Sequence, residues 1–151
     1  MTYTPNPDRY EVTNSWFRPL GHTGLKISAM ALGTWHNFGR AGSDSRRLGE
    51  HDLHENCRQI LFAGFDLGIN HFDLANVYGP PVGAAEERVG KILHDDFGAH
   101  REEIVVATKA GQDAYPGPNT KSKNRKNLLP RLDESLRRLR TDYVDIWYVH
   151  G

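Results

Sequence analysis

Apolar residues in this chain alternate between short continuous runs and stripes at helical spacing. The runs predict four strands, which lie at 29–33, 68–73, 103–109 and 142–150. The stripes predict three helices, which lie at 51–67, 85–94 and 127–140. Ahead of them, residues 16–28 carry the glycine-containing turn of a β-hairpin. A hairpin followed by β-α-β-α-β-α-β predicts a parallel sheet with right-handed crossovers.

Three of the predicted strands end on an ionisable side chain. Asp73, Lys109 and His150 hold these positions, and Tyr78 follows in the loop after Asp73. The carboxyl ends of parallel strands lie side by side, and α/β barrels and open α/β sheets keep their chemistry at that edge. A charge at the end of an apolar strand costs several kcal/mol unless it is paired. We therefore expect Asp73 to meet a cation, and Lys109 is the candidate.

Local signals refine the predicted elements. Gly68 is placed to end the first helix. Pro130 is compatible with the third helix only in its first turn. Residues 1–15 are polar and without periodicity, which predicts a flexible N-terminal extension. The polar segment 40–50 and the segment 110–125, rich in glycine, proline and asparagine, are predicted to be loops.

Composition narrows the class of protein. With 151 residues the chain is long enough for one domain with a core. Lys plus Arg and Asp plus Glu both number 19, and this balance argues against nucleic-acid and anionic-membrane partners. One cysteine, no apolar signal segment and no long apolar stretch predict a cytoplasmic protein. The histidines do not form a metal-ligand pattern, so no metal is expected.

Four motifs in order carry a family resemblance. Gly33-Thr34-Trp35, the segment Phe-Asp-Leu-Ala-Asn-Val-Tyr-Gly at 72–79, Thr108-Lys109 and the strand ending on His150 resemble the aldo-keto reductase superfamily. The resemblance covers about residues 16–151 and implies the first half of a (β/α)8 TIM barrel, closed below by the hairpin. A doubly wound four-stranded sheet is the alternative, but such a domain seldom stops at the carboxyl end of a buried strand.

The sub-patterns at 35–39, 78–81 and 85–87 look most like one branch of that family. This branch includes bacterial glyceraldehyde 3-phosphate reductases, and it is related to the β-subunits of voltage-gated potassium channels. The resemblance therefore implies an enzyme that uses NADPH to reduce small aldehydes or ketones to alcohols. Its partner is a small carbonyl compound, with neither nucleic acid nor membrane.

The resemblance also assigns roles to residues. It implies a catalytic tetrad, which is Asp73, Tyr78, Lys109 and His150. It implies cofactor contacts from Gly33, Thr34, Trp35 and Asp73, and a substrate pocket formed by Trp35, Tyr78, Tyr115 and His150. The chemistry is reasonable, because an ammonium group beside a tyrosine favours the phenolate and makes the hydroxyl a better acid.

Each of these residues also has an ordinary structural explanation. Alone, Asp73 could cap a loop, Tyr78 could be a packed aromatic and Lys109 could reach solvent. Trp35 is as compatible with packing as with a pocket wall, and His150 stands close enough to the chain end to be frayed.

In the family, the second half of the barrel supplies the contacts to the cofactor's phosphates. The resemblance therefore implies an N-terminal fragment of a protein of roughly 300 residues. Two alternatives to the reductase are a nicotinamide-sensing regulatory subunit like the channel β-subunits and an inactive truncated fragment. Self-association through the unfinished barrel edge is a further hypothesis, which a monomeric mass in solution would reject.

Overall fold

The computed structural model describes residues 3–12, 16–40, 49–112, 116–120 and 122–151. The elements in chain order are β1 (Phe17–Pro19), β2 (Lys26–Ser28), β3 (Ala31–Gly33), α1 (Glu50–Asp66), β4 (His71–Asp73), α2 (Ala84–Asp96), a 3-10 helix (Gly98–Glu103), β5 (Val105–Ala110), α3 (Arg125–Leu139) and β6 (Ile146–Val149). The predicted loop at 40–50 lies mostly outside the described residues.

Four parallel strands form the main sheet, in the order β3-β4-β5-β6. Gly33 pairs with Asp73, and Asp73 pairs in turn with Ala107. The strands therefore end at one common edge, as the alternation of elements predicted. β1 and β2 form the predicted hairpin as a separate antiparallel pair. In this sheet β3 and β6 are the outer strands, and self-association through them stays a prediction.

The core lies on the helix side of the sheet. Phe72 of β4 and Val106 of β5 belong to one buried cluster with apolar residues of α1 and α2, among them Phe65. Successive side chains of a strand point to opposite faces, so Asp73 and Lys109 lie on the other face of the sheet from this cluster. In the part of the chain that the structure covers, no helix is long and apolar enough to cross a membrane.

The helix ends confirm one local prediction and correct another. Gly68 follows α1 with a φ of +81° and donates its N–H to the carbonyl of Phe65 at 2.9 Å, as a helix-ending glycine should. α3 begins earlier than predicted, because the side chain of Asn124 accepts the N–H of Asn127 and caps the helix. Pro130 therefore lies in the second turn rather than the first.

All four strands of the main sheet are shorter than their apolar runs predicted, and β3 and β4 begin at Ala31 and His71 rather than at 29 and 68. Glu103 ends the 3-10 helix instead of opening β5, which begins at Val105. β6 begins at Ile146. The preceding Asp145 donates its backbone N–H to the carbonyl of Val106 at 3.0 Å, and its carboxylate accepts the N–H of Val106 at 2.8 Å and pairs with Arg101 at 2.9 Å.

The described part of the predicted flexible N-terminal extension, residues 3–12, packs against α1 and the 3-10 helix, and its flexibility stays a prediction. Tyr3 stacks on Phe62 with ring centroids 3.8 Å apart and donates its hydroxyl to Asp66 at 2.7 Å. Further along, Arg9 lies 2.6 Å from Glu103. The segment is therefore held against α1 and the 3-10 helix by aromatic and ionic contacts, which its polar composition alone did not reveal.

Glu103 should make the fold sensitive to acid. Burial acts to raise the pKa of this carboxyl, but hydrogen bonds from Tyr10, His100 and Arg9 outweigh it and lower the pKa from 4.5 to about 2. A lowered folded-state pKa stabilises the protein above pH 4.5 and loses that contribution as the pH falls towards 2. We expect Glu103→Gln to remove about 1–3 kcal/mol from the free energy of unfolding near neutral pH and little at about pH 2, as measured by urea unfolding.

The adjacent Glu102 is the matched control, since its side chain is exposed. Glu102→Gln should leave the free energy of unfolding unchanged at both pH values. An equal loss for Glu103→Gln at neutral and acidic pH would contradict the prediction.

Gly90 allows α2 and α3 to approach closely. A Cβ at this position would lie 2.2 Å from the carbonyl oxygen of Arg138 and 2.6 Å from the Cα of Leu139, both backbone atoms. At Gly64 in α1, the nearest atom to such a Cβ is the Cδ1 of Leu32 at 2.7 Å, and the end of a leucine side chain can move. We expect Gly90→Ala to destabilise the protein by about 2 kcal/mol or more, and Gly64→Ala by less than about 1 kcal/mol.

Urea denaturation of the two glycine variants checks this ranking. Equal stability losses would mean that the helix contact relaxes as readily as the leucine does.

Candidate active site

Lys109 connects the carboxyl ends of β4 and β5 with the loop that follows β4. Its Nζ lies 2.6 Å from the Oδ2 of Asp73. The same ammonium group donates to the carbonyl of Leu74 at 2.6 Å and to the Oη of Tyr78 at 3.2 Å. All three ammonium protons therefore have an acceptor. The predicted pairing of Asp73 with Lys109 is confirmed, and Tyr78 joins the pair.

The direction of the last hydrogen bond defines what Tyr78 can do. An ammonium group has donors only, so the Oη of Tyr78 accepts from Lys109. The hydroxyl proton of Tyr78 is then left for another acceptor. Lys109 also lies 4.8 Å from the centroid of the tyrosine ring, which places a positive charge against both the ring and the oxygen. This arrangement suits proton donation to an oxygen beside Tyr78.

A cleft of about 380 Å³ lies next to Tyr78. Its lining residues are Trp35, Val77, Tyr78, Gln112 and His150. The volume falls at the lower end of the range of small-molecule sites, which is about 300–1,000 Å³. The structure therefore brings three of the four predicted pocket residues together, while Tyr115 lies outside the described residues.

Trp35 forms the exposed wall of this cleft. Its side chain is 59% exposed, and its ring centroid lies 6.3 Å from that of Tyr78. Sequence reasoning missed two other walls, Val77 and Gln112. Both could have been found from position alone, because Val77 directly precedes Tyr78 and Gln112 lies in the loop after the strand that carries Lys109.

His150 is held in place directly after β6. Its backbone N–H donates to the carbonyl of Ala110 at 2.7 Å, and its ring stands at 80° to that of Tyr78 with centroids 5.9 Å apart. Burial, and then the charge of Lys109, lower the pKa of His150 below its usual 6.5. The ring is therefore neutral near pH 7. Its buried Nδ1 has no hydrogen-bond partner within the described residues.

The predicted cofactor contacts divide into two groups. Thr34 is fully buried, and both its hydroxyl and its N–H donate to the carbonyl of Asp73, at 3.1 and 3.2 Å. Together with Gly33, which pairs with Asp73 in the sheet, it holds the backbone of Asp73 in place. Trp35 is the member of this group that lines the cleft. A cofactor contact from any of them stays a prediction.

Comparison with known proteins decides the family. The sequence profile described as the aldo/keto reductase family matches residues 29–151, which is most of the chain. The chain belongs to the aldo/keto reductase family. The order of motifs predicted this assignment, and it is confirmed.

Curated relatives within the aldo/keto reductase family include two proteins with different names. An L-glyceraldehyde 3-phosphate reductase from Escherichia coli (strain K12) is 47% identical over 150 residues, which cover 99% of this chain and 40% of that relative. A protein named as a probable voltage-gated potassium channel subunit beta, from Arabidopsis thaliana, is 37% identical over 134 residues. These residues cover 89% of this chain and 37% of that relative. The chain thus spans about 40% of the length of these relatives.

Solved aldo/keto reductase structures agree with the described fold. The holo form of an enzyme from Bacillus halodurans superposes with a TM-score of 0.69 at 29% identity, over 89% of this chain and 40% of that one. A thermostable aldo-keto reductase in complex with the inhibitor epalrestat gives a TM-score of 0.66 at 32% identity, over 89% of this chain and 42% of that chain. The four parallel strands are therefore the N-terminal part of the family's (β/α)8 barrel, as predicted.

Proposed function

We propose that this chain contributes the proton-donating edge of an NADPH-dependent reductase that converts small aldehydes and ketones to alcohols. The observation that carries the proposal is the ammonium group of Lys109, bound at once to Asp73 and to the Oη of Tyr78. Glyceraldehyde 3-phosphate and related short aldehydes are the proposed substrates, supported by the name of the relative that is 47% identical. The proposed location is the cytoplasm, which the single cysteine supports.

Tyr78 is the proposed general acid. NADPH, when bound, supplies the hydride that reduces the carbonyl carbon. As negative charge develops on the carbonyl oxygen, Tyr78 donates its hydroxyl proton to that oxygen. The ammonium group of Lys109 stabilises the phenolate that remains, and Asp73 keeps Lys109 in place. His150, neutral and beside Tyr78, is the proposed hydrogen-bond partner that orients the carbonyl.

The lining of the cleft fits the proposed ligands. Trp35 offers an exposed indole against which a planar ring can pack, and Gln112 and His150 offer polar groups. The Nδ1 of His150 is buried and finds no hydrogen-bond partner among the residues that the structure describes, and a bound ligand would supply one. About 380 Å³ holds a nicotinamide ring and a short carbonyl compound, though not a whole dinucleotide.

A titration of the purified 151-residue chain with NADPH tests the proposal. We expect saturable quenching of tryptophan fluorescence with a Kd in the micromolar range, because Trp35 lines the cleft. Trp35→Phe should remove most of this quenching. Trp16→Phe should retain it, because Trp16 is hydrogen-bonded to the carbonyl of Gly68, away from the cleft lining. A parallel titration with NADH measures the preference for the 2′-phosphate.

Turnover is then measured with glyceraldehyde 3-phosphate and other short aldehydes, by loss of NADPH absorbance. A folded chain that binds NADPH but consumes it with none of these aldehydes would refute the proposal. Absence of both binding and turnover is the result expected of the inactive fragment.

A second candidate function is a nicotinamide-sensing regulatory subunit, which the 37% identity to a probable channel β-subunit favours. Here the same residues would bind the cofactor, and slow oxidation would report its redox state. The expected signature is tight NADPH binding, a stable complex with a partner protein and a kcat well below about 1 s⁻¹, the lower end of ordinary enzymes. A kcat within the ordinary range would exclude it.

A further inference from the structure

Glu86 is a buried carboxylate behind the candidate active site. We propose that Glu86 is a positioning residue, which sets the distance between Lys109 and Tyr78. It acts as a tie between β5, which carries Lys109, and α2, which follows the loop that carries Tyr78. This inference rests on the proposed function, because it assigns Glu86 to the same reaction. It concerns a residue that lies outside the cleft lining and, within the described residues, makes its side-chain hydrogen bonds to Thr108 and Arg138 rather than to the proposed tetrad.

One side of the tie is the strand that carries Lys109. Thr108, fully buried on β5, donates its hydroxyl to the Oε1 of Glu86 at 2.6 Å. Thr108 directly precedes Lys109, and side chains alternate along a strand, so Thr108 faces the helices while Lys109 faces the site. A shift of Thr108 relative to α2 therefore moves the backbone from which Lys109 extends.

The other side of the tie is the loop that carries Tyr78. Ala85, in the first turn of α2, donates its N–H to the carbonyl of Tyr78 at 3.2 Å. Glu86 is the next residue of the same turn. Two consecutive residues of α2 thus contact Tyr78 through the backbone and the Lys109 strand through a side chain.

The tie is rigid because burial and hydrogen bonds hold the side chain of Glu86 in one conformation. Its side chain is completely buried, and its Oε2 accepts the Nε and the terminal nitrogen of Arg138 from α3, both at 2.7 Å. Each carboxylate oxygen therefore has a partner, and the buried charge is compensated. Arg138 fixes the carboxylate, and the carboxylate fixes Thr108.

Thr108→Val tests this tie, because it removes the hydroxyl at nearly constant shape and leaves Arg138 on Glu86. We expect kcat to fall about 10- to 100-fold, the effect of a displacement near 1 Å, while the KM for NADPH stays within about twofold. Thr108→Ser restores the hydroxyl and should restore kcat. Glu87→Gln is the matched control, since this neighbour on α2 is exposed and pairs with Arg40 instead. A purely structural tie would lower the melting temperature of Thr108→Val without changing the kcat of the folded protein.

A second readout does not depend on turnover. In the ¹⁵N-lysine-labelled chain, the ammonium group of Lys109 should give a separate, slowly exchanging NMR signal, because three hydrogen bonds hold it. Lys109→Met assigns the signal by removing it. We expect the signal to shift or disappear in Thr108→Val and to persist in Thr108→Ser. Should Thr108→Val not fold, Glu86→Asp provides the same test, because it keeps the charge beside Arg138 and withdraws the carboxylate from Thr108.

The two readouts separate the two proposals. An unaltered chain without turnover counts against the proposed function, and the ammonium signal still decides the role of Glu86. The positioning role is overturned if the Lys109 signal is absent from the unaltered chain, or if Thr108→Val leaves that signal unchanged.

Discussion

Tyr78→Phe should lower turnover of short aldehydes by about 10²- to 10⁴-fold, the contribution of a positioned general acid. The change removes the hydroxyl that accepts from Lys109 and keeps the ring that packs near Trp35 and His150. Binding of NADPH should therefore change by no more than about twofold, because only the transition state uses the lost proton. Steady-state kinetics and the fluorescence titration measure the two effects separately.

Tyr143→Phe is the matched control for this prediction. It removes the same atom from a tyrosine that is 43% exposed and packs under Arg101, away from the cleft. Its kcat should equal that of the unaltered chain. Unchanged turnover in Tyr78→Phe would exclude the proton-donating role, and another acid would have to be sought among the cleft residues.

Lys109→Met should remove turnover and also destabilise the fold. The variant leaves the partly buried carboxylate of Asp73 without its cation and the carbonyl of Leu74 without its donor. We expect a stability loss on the order of 1–3 kcal/mol, below the cost of a fully buried unpaired charge because the Asp73 side chain is 27% exposed. Turnover should fall at least as far as in Tyr78→Phe, since no cation remains to stabilise the phenolate.

A double variant separates the two effects of this change. Lys109→Met combined with Asp73→Asn removes both charges, so urea unfolding should recover most of the lost stability. Turnover should stay low, because the ammonium group is still absent. Lys91→Met is the control, as that lysine pairs with Asp95 on the exposed side of α2. Recovery of turnover in the double variant would mean that Lys109 acts only by neutralising Asp73.

The family similarity and the site geometry give different information about this chain. The match at residues 29–151 shows the family, while one relative has an enzyme name and another has a channel-subunit name. The geometry adds that one ammonium group contacts Asp73 and Tyr78 together. Both proposed functions use this contact, so the decision between them rests on the measured kcat.

The sequence by itself determined the order of the elements and the chemistry at their ends. Hydrophobic runs predicted the strands and stripes at helical spacing predicted the helices, because each element must bury one apolar face. Their alternation predicted that the strands are parallel. The unfavourable energy of an unpaired charge predicted that Asp73 would pair with Lys109. The Oδ2 of Asp73 and the Nζ of Lys109 lie 2.6 Å apart. Gly68 was likewise predictable, since few other residues adopt a φ of +81° at a helix end.

The tertiary structure alone decided what depends on contacts between distant segments. The N-terminal segment is polar and shows no hydrophobic periodicity, so its sequence does not predict its packing. Tyr3 and Arg9 hold it through contacts with α1 and the 3-10 helix, which lie far away in sequence. Glu86 is one of two acidic residues in the first turn of α2, where the helix dipole favours negative charge at any exposed position. Its burial against Thr108 and Arg138 arises from packing two helices on one strand, which local sequence does not encode.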